Sequence, residues 1–376
     1  MSDRLTHTRL RALALHEDTP SVSIYLPTHR AGRDIAQDPI RLKNLLRSAK
    51  SQLESTWGAR ATEFLSPLWM LVENSSFWRS QLDGLALLAS DEGTNIFELP
   101  DEVEEAVHVT TRYHLTPLID YLGREPHFYV LDLSVNRVRL LKGSAYGLEE
   151  VPCPDLPSSI DEVVPEGEPS HALQSHSGSR GSAIFHGHGS GEETQDEGLT
   201  KFFTTCDRAT SAFLRNESAP LFLNCVDQHA AAYRRINTNP RLLDVTLSGN
   251  PYSTSDKDLH KQCLDAMKAI YEESERNAAA QYRKRKAEDK ATDQLPRILT
   301  AANEGRVESL WVPRGRPVLG VWNAERAEVQ VQPHNGSRYD LLDYAATQTY
   351  LSSGNVYTVA PDAMPDQGPA AAAFRY

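Results

Sequence analysis

The sequence predicts a mixed α/β (α+β) protein made of three domains. Strand-length apolar runs alternate with segments in which apolar residues recur at helical spacing. A chain of 376 residues is also too long for one ordinary hydrophobic core. The predicted domains are an N-terminal α/β domain over residues 1–121, a central domain over 122–252 and a C-terminal α/β domain over 253–376.

The N-terminal domain opens with a buried strand and a helix. Residues 21–27 form a β-rich run that ends at a proline. Asp38 and Pro39 then supply an N-cap and a proline at the first helical position. The remaining predicted elements are a helix over residues 60–73 and a hairpin of residues 84–89 and 95–99.

Polar residues directly follow the first predicted strand. Thr28, His29 and Arg30 are either the polar end of that strand or part of a functional site. Strand ends are commonly polar, because they meet solvent where the sheet stops. We therefore favour the polar strand end.

The central domain is predicted to be built on a sheet that a long loop interrupts. Residues 127–133 and 137–142 are two β runs joined by three residues, which favours an antiparallel hairpin. A helix is predicted to leave the loop near Asp196. The elements expected after it are a strand over 221–226, a helix over 228–235 and a strand over 242–247.

The C-terminal domain begins with a long helix that Ser255 is expected to cap and that reaches about residue 290. Helices over 294–304 and 340–351 are also expected. The predicted strands cover 307–312, 318–322, 327–331, 355–359 and 371–376.

Four consecutive cations lie near the end of that long helix. Arg283, Lys284, Arg285 and Lys286 span all sides of a helix, so they cannot all face a core. One interpretation is a solvated helix end, which the helix dipole favours. The other is a patch that faces RNA, and both interpretations stay open at this point.

The loop over residues 165–198 has an unusual composition. Seven Gly, six Ser and four His fill half of it, so it is predicted to be long and mobile. Glycine leaves backbone N–H groups accessible, which suits close contact with phosphate or ribose. The residues expected to bind RNA here are His186, Gly187, His188, Gly189, Ser190 and Gly191.

Two other kinds of chemistry are alternatives for this loop. The side chains that such chemistry would use are His186, His188, Glu192 and Glu193. A metal site needs ligands that are held in place, and the intervening glycines leave them unheld. Ser190 with His188 and Glu193 would need an oriented base and a dry site to act as a nucleophile. We therefore expect no metal, no catalytic residue and no cofactor.

Composition limits the cellular setting and the partners. The net charge of −12 argues against a general polyanion binder, although a few local contacts remain compatible with it. The four cysteines are far apart and form neither a zinc pattern nor a disulfide framework. No apolar run is long enough to span a membrane. The sequence therefore predicts a cytosolic protein.

The order of elements resembles a known superfamily. A hairpin over 128–141, a Gly/His loop, a helix from Asp196 and a strand over 221–226 resemble the central domain of the archaeal and eukaryotic class-one release factors and Pelota. The segment 298–312 resembles the start of their third domain. The patterns at 21–27 and 371–376 resemble the bacterial branch of the superfamily. The resemblance implies an RNase H-like central domain and an L7Ae-like C-terminal domain.

This sequence departs from the family at its functional motifs. It has no Gly-Gly-Gln and no Asn-Ile-Lys-Ser, and the segment Gly187 to Glu192 stands at the position of the former. The resemblance therefore implies a ribosome-associated protein that acts in hibernation or rescue by occupying the A site, without the hydrolytic motif. The implied partners are rRNA and a translational GTPase. The alternatives are a peptidyl-tRNA or other ester hydrolase that uses the His/Glu loop, and a protein-binding stress-response module.

Overall fold

The computed structural model describes residues 4–30, 32–164, 190–247, 254–330 and 339–376. The helices are α1 (His7–Ala14), α2 (Asp38–Trp57), α3 (Ser66–Val72), α4 (Ser75–Trp78), α5 (Thr116–Arg124), α6 (Ser190–Phe213), α7 (Asp227–Ile236), α8 (Asp256–Ala287), α9 (Leu295–Asn303) and α10 (Leu341–Leu351). The strands are β1 (Glu17–Pro27), β2 (Gly84–Ser90), β3 (Gly93–Leu99), β4 (Ala106–Arg112), β5 (Phe128–Ser134), β6 (Arg137–Ser144), β7 (Gly147–Glu150), β8 (Leu221–Asn224), β9 (Leu242–Thr246), β10 (Ala291–Thr292), β11 (Val307–Pro313), β12 (Leu319–Asn323), β13 (Glu328–Gln330), β14 (Tyr339–Asp340), β15 (Asn355–Val359) and β16 (Ala371–Phe374). The predicted α/β fold class is confirmed.

The chain folds into two compact units. One unit combines residues 1–124 with residues 271–376, and the other comprises residues 125–270. The first unit is therefore discontinuous in sequence. The three predicted domain ranges divide the chain differently, and their boundaries stay predictions.

The first unit contains an antiparallel sheet with the strand order β3-β2-β1-β4. Successive residues of a strand point to opposite faces, so the two sides of this sheet have different neighbours. Val22, Ile24 and Leu26 belong to the core that includes residues of α2 and α3. Tyr25, from the same strand, belongs to a second core.

That second core joins the two ends of the chain. It contains Leu88 and Phe97 from the first sheet together with Leu342 and Ala345 from α10. Most residues of α10 are buried, which is typical of a helix that is covered on all sides. Residues 1–124 and 271–376 therefore complete one another's hydrophobic core.

A buried carboxylate bonds the two segments of this unit together. Oδ1 of Asp343, on α10, accepts hydrogen bonds from the backbone N–H of Leu115, the backbone N–H of Thr116 and the hydroxyl of Thr116, each at 2.7 Å. These donors lie at the start of α5, where backbone N–H groups lack helical partners. Asp343 is only 3 % exposed, so it supplies an anion at the helix N-terminus from inside the fold.

Two stacked histidines lie close to this carboxylate. The rings of His108 and His114 are 3.8 Å apart at an angle of 11°, and His114 Nδ1 is 3.5 Å from Asp343 Oδ1. Burial, and secondarily the neighbouring His114, lower the pKa of His108 to about 3. His108 is therefore neutral in the folded protein at pH values where it is protonated in the unfolded chain.

The depressed pKa of His108 predicts a loss of stability in mild acid. Below the ordinary histidine pKa of about 6.5 the unfolded chain takes up a proton that the folded protein does not, which costs at most about 1.4 kcal/mol per pH unit. The free energy of unfolding is expected to fall by about 2 kcal/mol more between pH 7 and pH 5 in the unsubstituted protein than in His108→Phe. Denaturant titrations at the two pH values measure the free energy of unfolding. The same change between pH 7 and pH 5 in both proteins would contradict the prediction.

The first unit also contains a mixed sheet with the strand order β10-β16-β11-β15. Strand β11 runs parallel to β15 and antiparallel to β16. Residues 371–374 therefore form an interior strand of this sheet. A smaller sheet has the order β13-β12-β14.

The second unit is built on a five-stranded sheet with the order β7-β6-β5-β8-β9. Strands β7, β6 and β5 are antiparallel neighbours, whereas β5, β8 and β9 run parallel. In order of appearance this is 3-2-1-4-5 with the second strand reversed, the topology of the RNase H-like fold. The core of the unit includes Phe202, Phe203 and Cys206 from α6 and Tyr233 from α7.

A buried charge network lies within this second unit. Asp132, on the central strand β5, is 1 % exposed and contacts Arg139 at 2.8 Å and Arg137 at 3.2 Å. The side-chain amide of Asn224 donates to it at 2.8 Å. Arg139 also contacts Asp256, in the first turn of α8, at 2.9 Å. The network therefore joins the sheet to the start of the long helix.

Three helix starts differ from the sequence prediction. In α2 the N-cap is Gln37, and the predicted cap Asp38 is already the first helical residue. Helix α6 begins at Ser190, six residues before the predicted start, so residues 190–198 are helical and do not belong to the loop. Its first two turns carry four acidic residues, which the N-terminal end of the helix dipole favours. The helix predicted over 60–73 is a 3-10 segment followed by α3, which restarts with Pro67 in its first turn. The predicted cap of α8 is confirmed, because Ser255 Oγ accepts from the backbone N–H of Asp258 at 3.1 Å.

Candidate nucleic-acid interface

The predicted loop site lies largely outside the described residues. His186, Gly187, His188 and Gly189 belong to the segment 165–189 that the structure does not describe. Ser190 to Glu193 form the start of α6, where only the backbone is described. The RNA-binding, metal and catalytic hypotheses for these residues therefore stay predictions.

The basic run at the end of α8 divides into two pairs of residues. Arg285 and Lys286 make internal contacts. Arg285 donates from both terminal nitrogens to Glu308, at 2.6 and 3.0 Å, and to the carbonyl of Phe374 at 3.1 Å. The hydrogen bonds to Glu308 raise the pKa of Arg285. Lys286 contacts Asp366 and lies 3.3 Å from Asp293. These two cations hold the end of α8 against the C-terminal segment.

The other pair is exposed to solvent. Arg283 and Lys284 are exposed, and neither makes a hydrogen bond or an ion pair with any residue in the described part of the chain. Of the four cations predicted to bind RNA, the structure therefore leaves two available for an external anion. Arg283 and Lys284 thus remain compatible with either sequence interpretation, a solvated helix end or a patch that faces RNA. Arg285 and Lys286 are instead paired within the fold.

The polar residues after β1 support the fold. His29 donates its backbone N–H to Asp38 at 3.0 Å, and its Nδ1 is 2.8 Å from the same carboxylate. Arg30 forms two hydrogen bonds with Asp83, at 2.8 and 2.7 Å. The hydroxyl of Thr28 donates to the carbonyl of Leu82 at 2.7 Å. Each side chain holds the strand end to a neighbouring segment, which agrees with a polar strand end.

The cysteines offer no reactive thiolate near neutral pH. Burial raises the pKa of Cys153 to about 11 and that of Cys206, Cys225 and Cys263 to about 12. Across the residues that the structure describes, no three His, Cys, Asp or Glu side chains are grouped so as to hold a metal ion. In the same residues no helix is long and apolar enough to cross a bilayer.

A second cationic surface on α6 was missed at the level of sequence. Lys201, Arg208 and Arg215 are exposed and recur at intervals of seven residues. Arg208 and Arg215 line an open cleft of about 410 Å³, which we call the α6 cleft. Its other lining residues are Thr204, Asp207, Ser211, Ala212, Ile236 and Thr238. The seven-residue spacing is visible in the sequence, but the cleft depends on the loop after α7, which local periodicity does not place.

The topology of the second unit and a sequence match both relate this part of the chain to a known superfamily. An RNase H-like sheet whose first hairpin is followed by a long segment and then by α6 is the order of elements in the central domain of the release-factor superfamily. Residues 127–306 match the family described as bacterial archaeo-eukaryotic release factor family 3. This part of the chain therefore matches the bacterial branch of the superfamily, as predicted. A search of curated proteins found no sequence match.

Several solved structures are similar to this chain at low sequence identity. The chain is similar to the archaeal translation termination factor aRF1, with 12% identity, a TM-score of 0.24 and coverage of 99% of each chain. It is similar to Archaeoglobus fulgidus Pelota, with 11% identity, a TM-score of 0.33 and coverage of 99% of this chain and 93% of that one. It is also similar to archaeal Pelota in a ribosome-bound complex with ABCE1, with 10% identity, a TM-score of 0.38 and coverage of 100% and 95%. At these TM-scores the assignment rests on the family match.

Proposed function

We propose that this protein associates with the ribosome and acts in hibernation or rescue by occupying the A site. The observation that carries the proposal is the family match over residues 127–306, which includes the whole five-stranded sheet and α6. Release factors of this superfamily act at the A site, so a member that keeps their central architecture is suited to the same place. A translational GTPase is the proposed accessory partner.

The proposal is occupancy and not peptide release. The sequence contains no Gly-Gly-Gln, and the segment Gly187 to Glu192 stands where the resemblance puts that motif. The family's glutamine helps to position the hydrolytic water, and this segment has no glutamine to replace it. Purified protein is therefore expected to leave peptidyl-tRNA intact. Peptide release that is lost in His188→Ala would contradict occupancy and favour the hydrolase.

Arg283 and Lys284 are the proposed rRNA contacts of the C-terminal segment. Both are exposed at the end of α8, whose last turn Arg285 and Lys286 hold in place. Two fixed cations next to one another suit a sequence-independent contact with phosphate. Such a contact weakens as salt rises, because binding releases counterions from the nucleic acid.

Co-sedimentation with ribosomes tests the proposal. The protein is expected in ribosomal fractions at low salt and to leave them as the salt concentration rises. Arg283→Glu with Lys284→Glu should weaken this association on the order of tenfold and lower its salt dependence. The matched control is Arg60→Glu with Arg79→Glu, which makes the same charge change at two exposed arginines elsewhere in the chain.

Three outcomes decide between the possibilities. Absence of the protein from ribosomal fractions of both starved and growing cells would contradict ribosome association. Enrichment on ribosomes of starved cells would favour hibernation, whereas enrichment on ribosomes stalled on truncated mRNA would favour rescue. Crosslinking on these ribosomes would show whether residues 165–198 contact the peptidyl-transferase centre.

A further inference from the structure

The exposed cations of α6 form a row along one side of the helix. Seven residues correspond to nearly two turns, so Lys201, Arg208 and Arg215 lie close to one line, about 10 Å apart along the axis. Arg215 lies in the turn after the end of α6, where its backbone N–H donates to the carbonyl of Ala212. The row therefore extends over roughly 20 Å.

The arginines of the α6 cleft have no internal role that accounts for them. Within the described ranges, Arg208 and Arg215 form neither an ion pair nor a hydrogen bond through their side chains. Several other arginines of this unit are engaged inside the fold. Arg139 contacts Asp132 and Asp256, and Arg241 donates to the carbonyl of Leu214 at 3.1 Å. Two unpaired guanidinium groups beside one cleft indicate an external anion, since arginine binds phosphate in a bidentate manner.

Hydrogen bonds to Asp207 fix one part of the lining of the cleft. Asp207 accepts hydrogen bonds from the hydroxyl of Tyr233 at 3.2 Å, and from the N–H and hydroxyl of Thr238 at 3.0 and 2.6 Å. Both of its carboxylate oxygens are thereby occupied, which ties the segment after α7 to α6. Asp207 is 3 % exposed, so its charge acts mainly inside the fold.

An unsatisfied hydroxyl also lines the cleft. Ser211 Oγ is enclosed and has no hydrogen-bond partner among the described residues. A buried hydroxyl without a partner is costly, and an acceptor oxygen of a ligand would satisfy it. Thr204, by contrast, already donates to the carbonyl of Thr200 at 2.7 Å. Ser211 therefore contributes an unsatisfied hydroxyl to the lining of the cleft, between the two arginines in sequence.

The spacing favours an extended polyanion over a small one. Cations separated by about 10 Å along the axis act on different phosphates, and Lys201 continues the row beyond the cleft. None of the residues that line the cleft is aromatic, so it offers no surface on which bases stack. We propose that the α6 cleft binds the phosphodiester backbone of single-stranded RNA, independently of sequence. This inference rests on the proposed function and names the surface through which the central unit meets rRNA.

Direct RNA binding by the full-length chain tests the inference. The probe is a fluorescent single-stranded RNA of mixed sequence, about 12 nucleotides long, followed by anisotropy over a series of salt concentrations. Arg208→Ala with Arg215→Ala is expected to weaken binding tenfold or more and to reduce the salt slope by about 1.4, or 0.7 for each lost phosphate contact. Arg60→Ala with Arg79→Ala is the control and should bind like the unsubstituted protein. Ser211→Ala should weaken binding by about twofold to fivefold, which is less than the effect of the double arginine variant.

The outcomes separate this inference from the proposed function. Unchanged RNA affinity in the double variant, or an equal loss in the control, would overturn the cleft assignment. If that variant still co-sediments normally with ribosomes, ribosome association stands and only the cleft assignment fails. If the cleft binds RNA but the protein is absent from ribosomes, the proposed function fails instead. Displacement of the RNA by inorganic phosphate at low concentration would show a small-anion site and contradict the polyanion.

Discussion

Asp343→Ala is expected to lower the free energy of unfolding by about 4 kcal/mol. The substitution leaves the N–H groups of Leu115 and Thr116 and the hydroxyl of Thr116 without their acceptor inside a buried contact. Each unsatisfied buried donor costs about 1 to 3 kcal/mol, with incomplete additivity. The effect is large because one oxygen serves a helix start that lies more than two hundred residues away in sequence. Denaturant titration of the purified chain measures it.

Two substitutions serve as controls for Asp343. Asp340→Ala removes the cap of α10, which accepts from Leu342 and Val318 at 3.0 Å, and should cost about 1 to 2 kcal/mol. Asp343→Asn keeps a carbonyl oxygen as acceptor and should retain much of the stability. A loss below 1 kcal/mol in Asp343→Ala would show that the carboxylate does not bond the two chain segments together.

Asp132→Ala should destabilise the second unit by about 3 to 5 kcal/mol. It removes the carboxylate that neutralises Arg139, whose side chain is 17% exposed, and that accepts from the buried amide of Asn224. In the variant Arg139 keeps only its more exposed acidic partners, such as Asp256, and the buried amide of Asn224 loses its acceptor, which is costly because little water reaches either group. The free energy of unfolding of the variant gives the cost directly.

The matched control leaves Asp132 in place and removes another acidic partner of Arg139. Asp256 is 57% exposed, so Asp256→Ala should cost less than about 1 kcal/mol. A combined Asp132→Leu and Arg139→Met substitution should recover part of the loss, because apolar side chains often replace a buried ion pair without penalty. Equal losses for Asp132→Ala and Asp256→Ala would show that the network is solvent-screened throughout.

Local patterns predicted the individual elements well. Pro39 and the apolar positions of α2 identified that helix, and the spacing of the β5 and β6 runs identified their hairpin. Ser255 identified the start of α8. These signals are local, because caps, turns and periodicity act within a few residues. The order of these elements was then enough to suggest the superfamily.

Long-range features were not accessible to the same reasoning. Strand β4 and helix α5 were not predicted, and both depend on partners elsewhere in the fold. The shared core of the first and last segments needs contacts such as Thr116 with Asp343, which no periodicity encodes. The α6 cleft was missed for a similar reason, since its wall is held by Asp207 and Thr238. In the basic run of α8, only the structure separates the paired Arg285 from the exposed Arg283.

The discontinuous unit has a consequence for the order in which the protein folds during synthesis. Residues 125–270 are contiguous, so their unit can fold soon after it emerges from the ribosome. Residues 1–124 emerge earlier but lack part of their core until α10 and β16 have been made. At about 5 to 20 residues per second, that delay lasts on the order of 10 to 50 seconds. During this interval the apolar face that includes Leu88 and Phe97 lacks the cover of α10, so we expect the segment made first to be the more prone to aggregation during synthesis.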